Sequence, residues 1–452
     1  MQDLTSGSLT RHLLTTTSFM LVSMVFQTLY VLVDLYWVGR LGTEAVAAVA
    51  ISGNLMFIVL AATQMLGVGT TTLVSHATGR KDRERALLVF NQSQLLSLVV
   101  GAIFLAVATA LRGTFSRSLS ADAITSELAN DYLRWFIPSL ALQFGLVAMG
   151  AALRGTGNFK PGMIVQTATV IINIVLAPVL IFGWGTGRPL GVVGAALATF
   201  IAIAIGIVWM AAYFIGPRAY LTFIRADMRP RVALWAEMLK IGLPAGAEFA
   251  LMSVYLVMVY VVSRPFGAAA QSGFGIGLRI IQACFLPIVA LGFAVAPVAG
   301  QNFGARRGAR VRQTFTVAAA MASGAMLLLA IAMQFAAPAA VRVFSADPSA
   351  LAVGVEYLRI AAWNFVPSGI VFVSSSMFQA MGNTIPSLIT SFTRVVLVTV
   401  PVLLMSRLPG FELRWVWYVS VAAVFFQLLM NLALLRREFR LRLAAEPANL
   451  AY

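Results

Sequence analysis

Asp34 is isolated. In "YVLVDLYWVGRLG" (residues 30–42) it is the sole acidic residue between Asp3 and Glu44, and it follows a long apolar run. A carboxylate there has one chemistry open to it: it binds a proton or a cation and later releases it. Tyr30 lies one helical turn before it and Gln27 about one turn further back, so the three share a face. A polar stripe on a spanning helix is better placed against a cavity than against lipid. The plainer reading is an interfacial aspartate that reaches water, three residues before Trp37 and six before Arg40.

A second carboxylate, Glu248, lies well inside another apolar run, eight residues past Lys240. Arg279 and Arg394 also fall within apolar runs, in the same half of the chain. One expectation is a structural network in which the three neutralise one another, since a buried charge needs a partner. The other is that Glu248 holds a proton or cation while the arginines line a substrate cavity. Two arginines against one glutamate would suit an anionic group on a substrate.

Other chemistries are excluded. The chain has one cysteine, Cys284, and two histidines, His12 and His76, too few for a cysteine- or histidine-built metal site. No span clusters aspartates as a metal–diphosphate enzyme needs. No G-x-x-x-x-G-K-[ST] loop is present, so ATP is not used by that mechanism. The chain is expected to be neither an enzyme nor the holder of a cofactor.

The elements that must position these residues are set by composition. Of 452 residues 60% are hydrophobic and only 11% charged, and the mean hydropathy is +0.89. Soluble domains carry about 25% charged residues, so the chain is read as an all-α integral membrane protein. The net charge of +16 points to anionic lipid, not nucleic acid, because the basic residues sit in short connections between apolar runs.

A span needs about 20 apolar residues. Twelve segments qualify: 12–37, 46–76, 86–111, 133–153, 161–184, 190–215, 237–262, 270–299, 314–337, 357–381, 386–406 and 413–435. The first is too long for the core of a signal peptide. With the N-terminus inside, twenty Lys and Arg fall on inside segments and ten on outside ones. This bias predicts a plasma (inner) membrane protein with both termini cytoplasmic.

The sequence also repeats. At an offset of 225, Gly42 meets Gly267, Leu66-Gly67 meets Leu291-Gly292, and Gly79 meets Gly304. Ser120-Ala121-Asp122 meets Ser345-Ala346-Asp347, Tyr132-Leu133-Arg134 meets Tyr357-Leu358-Arg359, Gly157-Asn158 meets Gly382-Asn383, and Pro161 meets Pro386. So many anchors at one offset define two copies of a six-helix unit. Six is even, so the copies run parallel, related by a pseudo-two-fold axis along the membrane normal. The lobes are expected at 1–222 and 223–452, joined by the basic stretch 216–231. Two such lobes around a cleft suit alternating access.

At this point the residues resemble a known family. "VDLYWVGRLGTEAVAAVAI" (33–51) is similar to the first-helix signature of the multidrug and toxic compound extrusion (MATE) transporters. The stretch "LRGTGNFKPGMIVQTATVIINIVLAPVLIFGWGTGRPLGVVGAALAT" (153–199) resembles that family's fourth-to-sixth-helix region. "IGLPAGAEF" (241–249) and "VAGQNFGARRGARVRQ" (298–313) resemble its second-half motifs. The resemblance implies a V-shaped, twelve-helix antiporter, expected as a monomer, that exports organic, often cationic and amphipathic, compounds against inward H+ or Na+. It implies that Asp34, Tyr30 and Asn173 line a cavity of the first lobe. A flippase for a lipid-linked substrate is the alternative.

Three positions depart from the family pattern. Ala177 stands where a second aspartate is often found. Phe19 stands where the first helix usually carries a proline, while its repeat mate Pro244 keeps one and is the expected hinge. In branches with a seventh-helix glutamate, that residue is expected one turn after Glu248, near Met252.

Overall fold

The computed structural model describes residues 2–120, 122–185, 187–217 and 219–443. Ala121 of the repeated tripeptide, Arg218 of the inside charge count and the C-terminal residues 444–452 lie outside the described residues.

The described residues form an all-helical structure with twelve helices long and apolar enough to cross a membrane. The first six are α1 (Leu9–Gly39), α2 (Thr43–Gly79), α3 (Arg83–Leu119), α4 (Ala123–Gly155), α5 (Lys160–Phe182) and α6 (Val192–Ile215). The second set is α7 (Val232–Ser263), α8 (Ala268–Gly304), α9 (Gly308–Arg342), α10 (Pro348–Ala361), α11 (Phe365–Ala380), α12 (Ile385–Met405) and α13 (Arg414–Arg442). Helices α10 and α11 make one broken span, interrupted by a 3-10 turn at Ala362–Asn364. Pro367, just past the break, has no amide hydrogen to continue the ladder.

The repeat is written into the backbone. Lys81 (φ 60) and Arg306 (φ 57) are the non-glycine residues with positive φ among the described residues, and they are mates at the 225 offset. Both follow the end of a long helix. Asp82 N bonds Ala77 O at 2.9 Å, and Arg307 N bonds Asn302 O at 2.9 Å. Chain reversal by a left-handed residue satisfies the last carbonyls of a helix. Asp122 caps α4 by accepting from Thr125 N at 2.7 Å, and its mate Asp347 caps α10 by accepting from Ser349 N at 2.9 Å. The Thr125 bonds hold the Asp122 carboxyl below the ordinary carboxylate range.

The chain forms two compact units, residues 1–3 with 18–242, and residues 4–17 with 243–452. The boundary therefore falls inside α7 and not at 222/223. Asn91 and Gln92 of α3, both fully buried, hold the connecting stretch to the first unit. Ile224 N donates to Asn91 Oδ1 at 3.0 Å, and Arg231 N donates to Gln92 Oε1 at 2.9 Å. The start of α7 then crosses α2 on glycine. A Cβ on Gly242 would stand 1.8 Å from the Met65 carbonyl oxygen, and one on Gly69 2.5 Å from that of Met238.

In the second unit, residues 4–17 take the corresponding place. Leu4, Leu9 and Leu13 are buried in a core with Val295, Val298 and Ala299. Leu4 N donates to Gln301 Oε1 at 3.0 Å, and Asn302 Nδ2 donates to Leu4 O at 3.1 Å. The two passages, 17/18 in α1 and 242/243 in α7, are themselves 225 residues apart. Phe19 and Pro244 each lie within two residues of a passage. Helix α1 contains no proline, whereas Pro244 lies within α7.

Candidate functional site: a cavity in the first unit

Helices α1, α2, α4, α5 and α6 of the first unit surround a cavity of about 170 Å³. At about 10–15 Å³ per water on this measure, it holds roughly a dozen water molecules. Helix α1 contributes Met20, Ser23, Gln27 and Tyr30. Their spacing of three and four residues makes one face of a helix, and Asp34 is the next position along it.

Three elements meet at Thr199 of α6. The Tyr30 hydroxyl lies 3.1 Å from Thr199 Oγ1, and Asn173 Nδ2 donates to that oxygen at 3.1 Å. Thr199 in turn donates to Ala195 O at 3.2 Å. A hydroxyl has one hydrogen and two lone pairs. With its hydrogen on Ala195, Thr199 accepts from both neighbours, so Tyr30 is the donor in its pair. The tyrosine proton is thereby committed to Thr199 and is not offered to Asp34. Tyr30, Gln27 and Asn173 all stand in the cavity wall.

Asp34 lies beyond the cavity wall, with a buried Oδ1 that has no hydrogen-bond partner. It is near enough to Tyr30 and Tyr132 to act on both electrostatically. On its other side Trp37 packs edge-on against Trp184 (5.6 Å between centroids) and Phe182 (6.0 Å). Arg40 does not reach back to Asp34. Its guanidinium lies 5.5 Å from the Phe182 ring centre and 6.0 Å from that of Trp37, a cation–π arrangement. Asp34 thus sits between the polar cavity and an aromatic cluster. Ala177, the position of the family's frequent second aspartate, is buried and offers no charge.

The second unit treats its charges differently from the expected network. The Ser387 side chain hydrogen-bonds the Glu248 carboxylate, whose Oε1 is buried without a partner. Ser387 Oγ is also 2.5 Å from Ser375 Oγ. Neither Arg279 nor Arg394 is an ion-pair partner of Glu248 among the described residues. Arg279 is exposed on α8, and Arg394 lies over the Tyr255 ring at 5.7 Å. The three-charge network is therefore not formed. Arg279 and Arg394 belong to the second unit and take no part in the cavity wall.

Thr199 and Arg154 are among the cavity residues that sequence reasoning missed. Thr199 gives no signal, because a helical threonine ordinarily satisfies itself on the carbonyl four residues back. Arg154 ends α4, where a basic residue reads as part of a connection, yet it lines the cavity. Its guanidinium lies beside two glycines: Nη1 is 3.6 Å from a Cβ built on Gly150, and Nη2 is 3.7 Å from one built on Gly67.

Twelve apolar helices in two compact units, with a cavity of about 170 Å³ inside the first, define a multi-pass membrane protein. The sequence profile of the MatE family matches residues 20–179 and 244–405, one match in each repeat, and the chain belongs to this family of transporters. It is 27% identical to the multidrug export protein MepA of Staphylococcus haemolyticus (strain JCSC1435), over 80% of each chain. It is 25% identical to an FAD transporter of Shewanella oneidensis, over 82% of each. Its fold overlays, with a TM-score of 0.89, 25% identity and 97% coverage of each chain, on the outward-facing conformation of a multidrug resistance MATE family transporter of the MOP superfamily.

Proposed function

We propose that the chain is a secondary active exporter of amphipathic organic compounds, driven by inward proton movement and working by alternating access. Asp34 is the carboxylate that takes the proton from outside and yields it inside. The single observation that carries this reading is the buried, partnerless Oδ1 of Asp34 one turn beyond cavity-lining Tyr30. An intramembrane carboxylate without a fixed cation is costly and is kept for function. The Tyr30 hydroxyl is engaged with Thr199 and is not a partner of Asp34.

The cavity wall suits varied ligands. Met20, Met56, Met163 and Met210 line it, and flexible thioether side chains repack around different apolar shapes. Gln27, Gln143, Gln166 and Asn173 supply hydrogen bonds without a fixed charge pattern. MepA's description as a multidrug export protein agrees with such a wall. Glu248, with Ser387, is the second exchange site, in the C-terminal unit. Both termini are cytoplasmic, so α1 runs outward and Asp34 lies toward the outer side.

The test is transport of ethidium in proteoliposomes under a proton gradient and, separately, a sodium gradient. A response to the proton gradient alone is expected. Transport driven by sodium alone, or by neither, overturns the coupling.

A further inference from the structure

Arg394 stands near the middle of α12, where a charge is costly and is kept for function. Among the described residues it has neither an ion pair nor a hydrogen bond. Its guanidinium lies over the Tyr255 ring, 5.7 Å from the centre, and the Tyr255 hydroxyl is 3.3 Å from Ser420 Oγ. That cation–π contact occupies a face of the guanidinium and leaves its in-plane N–H donors unspent. The side chain is half-buried, so part of it stays reachable. The titratable groups that act on Arg394 are Tyr255 and Tyr357, and no carboxylate is among them. The Tyr357 hydroxyl also has no hydrogen-bond partner among the described residues. Its ring lies 4.6 Å from that of Trp417, whose buried indole N–H is likewise without a partner.

The repeat relates this cluster to the first-unit cavity. At the 225 offset Tyr255 is the mate of Tyr30, Tyr357 of Tyr132, and Arg394 of Thr169. Tyr30 and Thr169 line the cavity, and Tyr132 is close enough to act electrostatically with Tyr30. The second unit thus repeats both tyrosines and places an arginine where the first has a wall threonine. Its counterpart of Asp34 is Val259, buried and apolar. Matching positions carry a carboxylate in one unit and a guanidinium in the other.

We propose that Arg394, with the Tyr357 hydroxyl, binds the carboxylate, sulfonate or phosphate group of an amphipathic organic anion in the second unit. A guanidinium keeps its charge and offers a planar fork to two oxygens at once. The proposal deepens the export reading by naming a class of cargo and rests on it for the direction of movement, but the binding step stands alone.

The experiment uses matched fluorescent probes, pyrene-1-sulfonate and a pyrene carrying a trimethylammonium group, with the full chain in neutral-lipid nanodiscs. Arg394→Gln is expected to weaken sulfonate binding about tenfold, the size of one charge-assisted hydrogen bond, with no such loss for the ammonium probe. Arg394→Lys, which keeps the charge, should recover most of it and controls for misfolding. Tyr357→Phe keeps every charge and should still weaken the sulfonate severalfold, which a field acting from a distance would not do. Phosphatidylglycerol that competes with the sulfonate supports the site with a lipid headgroup as the source of the anion; no competition supports it with a free solute as the source. Sulfonate binding untouched in Arg394→Gln or in Tyr357→Phe, or a loss shared equally by both probes, overturns the proposal. Proteoliposomes separate the two readings. Absence of ethidium transport in wild type sinks export and leaves the site standing, whereas ethidium transport by a protein whose sulfonate affinity ignores residue 394 does the reverse.

Discussion

The Tyr30 hydroxyl and Thr199 Oγ1 stand 3.1 Å apart, joining α1 to α6 at the wall of the cavity. The same oxygen takes the Asn173 amide, so one side chain holds the polar lining of three helices. Thr199→Val keeps the shape and removes the acceptor. It leaves the Tyr30 proton and the buried Asn173 amide without their partner, at a cost of about 1–3 kcal/mol. A lowered midpoint of thermal unfolding in detergent is expected, with Thr199→Ser close to wild type. A midpoint unchanged in the valine variant would show that the junction carries no stability.

The crossing of α7 on α2 depends on glycine. A Cβ on Gly242 has to enter the Met65 carbonyl, a backbone atom that no rotamer change moves aside. Gly242→Ala is expected to cut the yield of folded protein severely. Gly53 of α2 is the control, since a Cβ there meets nothing within 4 Å. Gly53→Ala should stabilise by up to about 1 kcal/mol through helix propensity. The two variants are compared by the monodisperse fraction after solubilisation.

Glu248 and Arg394 are energetically separate on this structure. A double-mutant cycle of Glu248→Gln with Arg394→Gln should give a coupling within about 0.5 kcal/mol of zero, as for sites without shared partners. The cycle of Glu248→Gln with Ser387→Ala should give a clear coupling. Stability in guanidinium or by heat serves as the readout, and a large Glu248–Arg394 term would restore the charge network.

The cap of α4 carries a pH dependence of known sign. Thr125 donates to ionised Asp122, so its carboxyl lies below the ordinary value. The cap is fully present above the ordinary aspartate range and is lost as pH falls through the lowered folded-state value. Asp122→Asn should therefore flatten part of the acid limb of the stability profile, measured from pH 6 downward.

Much of this architecture was legible in the residues. Long apolar runs report spans directly, since lipid leaves the backbone no partner but its own helix. The 225-residue offset in glycines and tripeptides reappears as paired φ values at Lys81 and Arg306. The passages between units were not legible, because α1 and α7 read as unbroken helices through 17/18 and 242/243. What divides them is packing: leucines 4, 9 and 13 against α8, and Gly242 against α2. The charges of the second unit were misjudged for a similar reason. Depth along a helix can be counted from sequence, but its rotation about the axis cannot, and rotation leaves Arg279 exposed and Arg394 over Tyr255. Arg154 was overlooked because a basic residue at a helix end is ordinarily interfacial.

The central claim is that Asp34 exchanges the proton that drives export. The direct measurement is proton release from purified protein in proteoliposomes when ethidium is added, followed with a trapped pH-sensitive dye at matched reconstitution. The account predicts substrate-driven proton exchange in wild type, and in Asp34→Asn retained ethidium binding with exchange cut severalfold, to the remainder that Glu248 carries. Exchange by Asp34→Asn at the wild-type rate would contradict it.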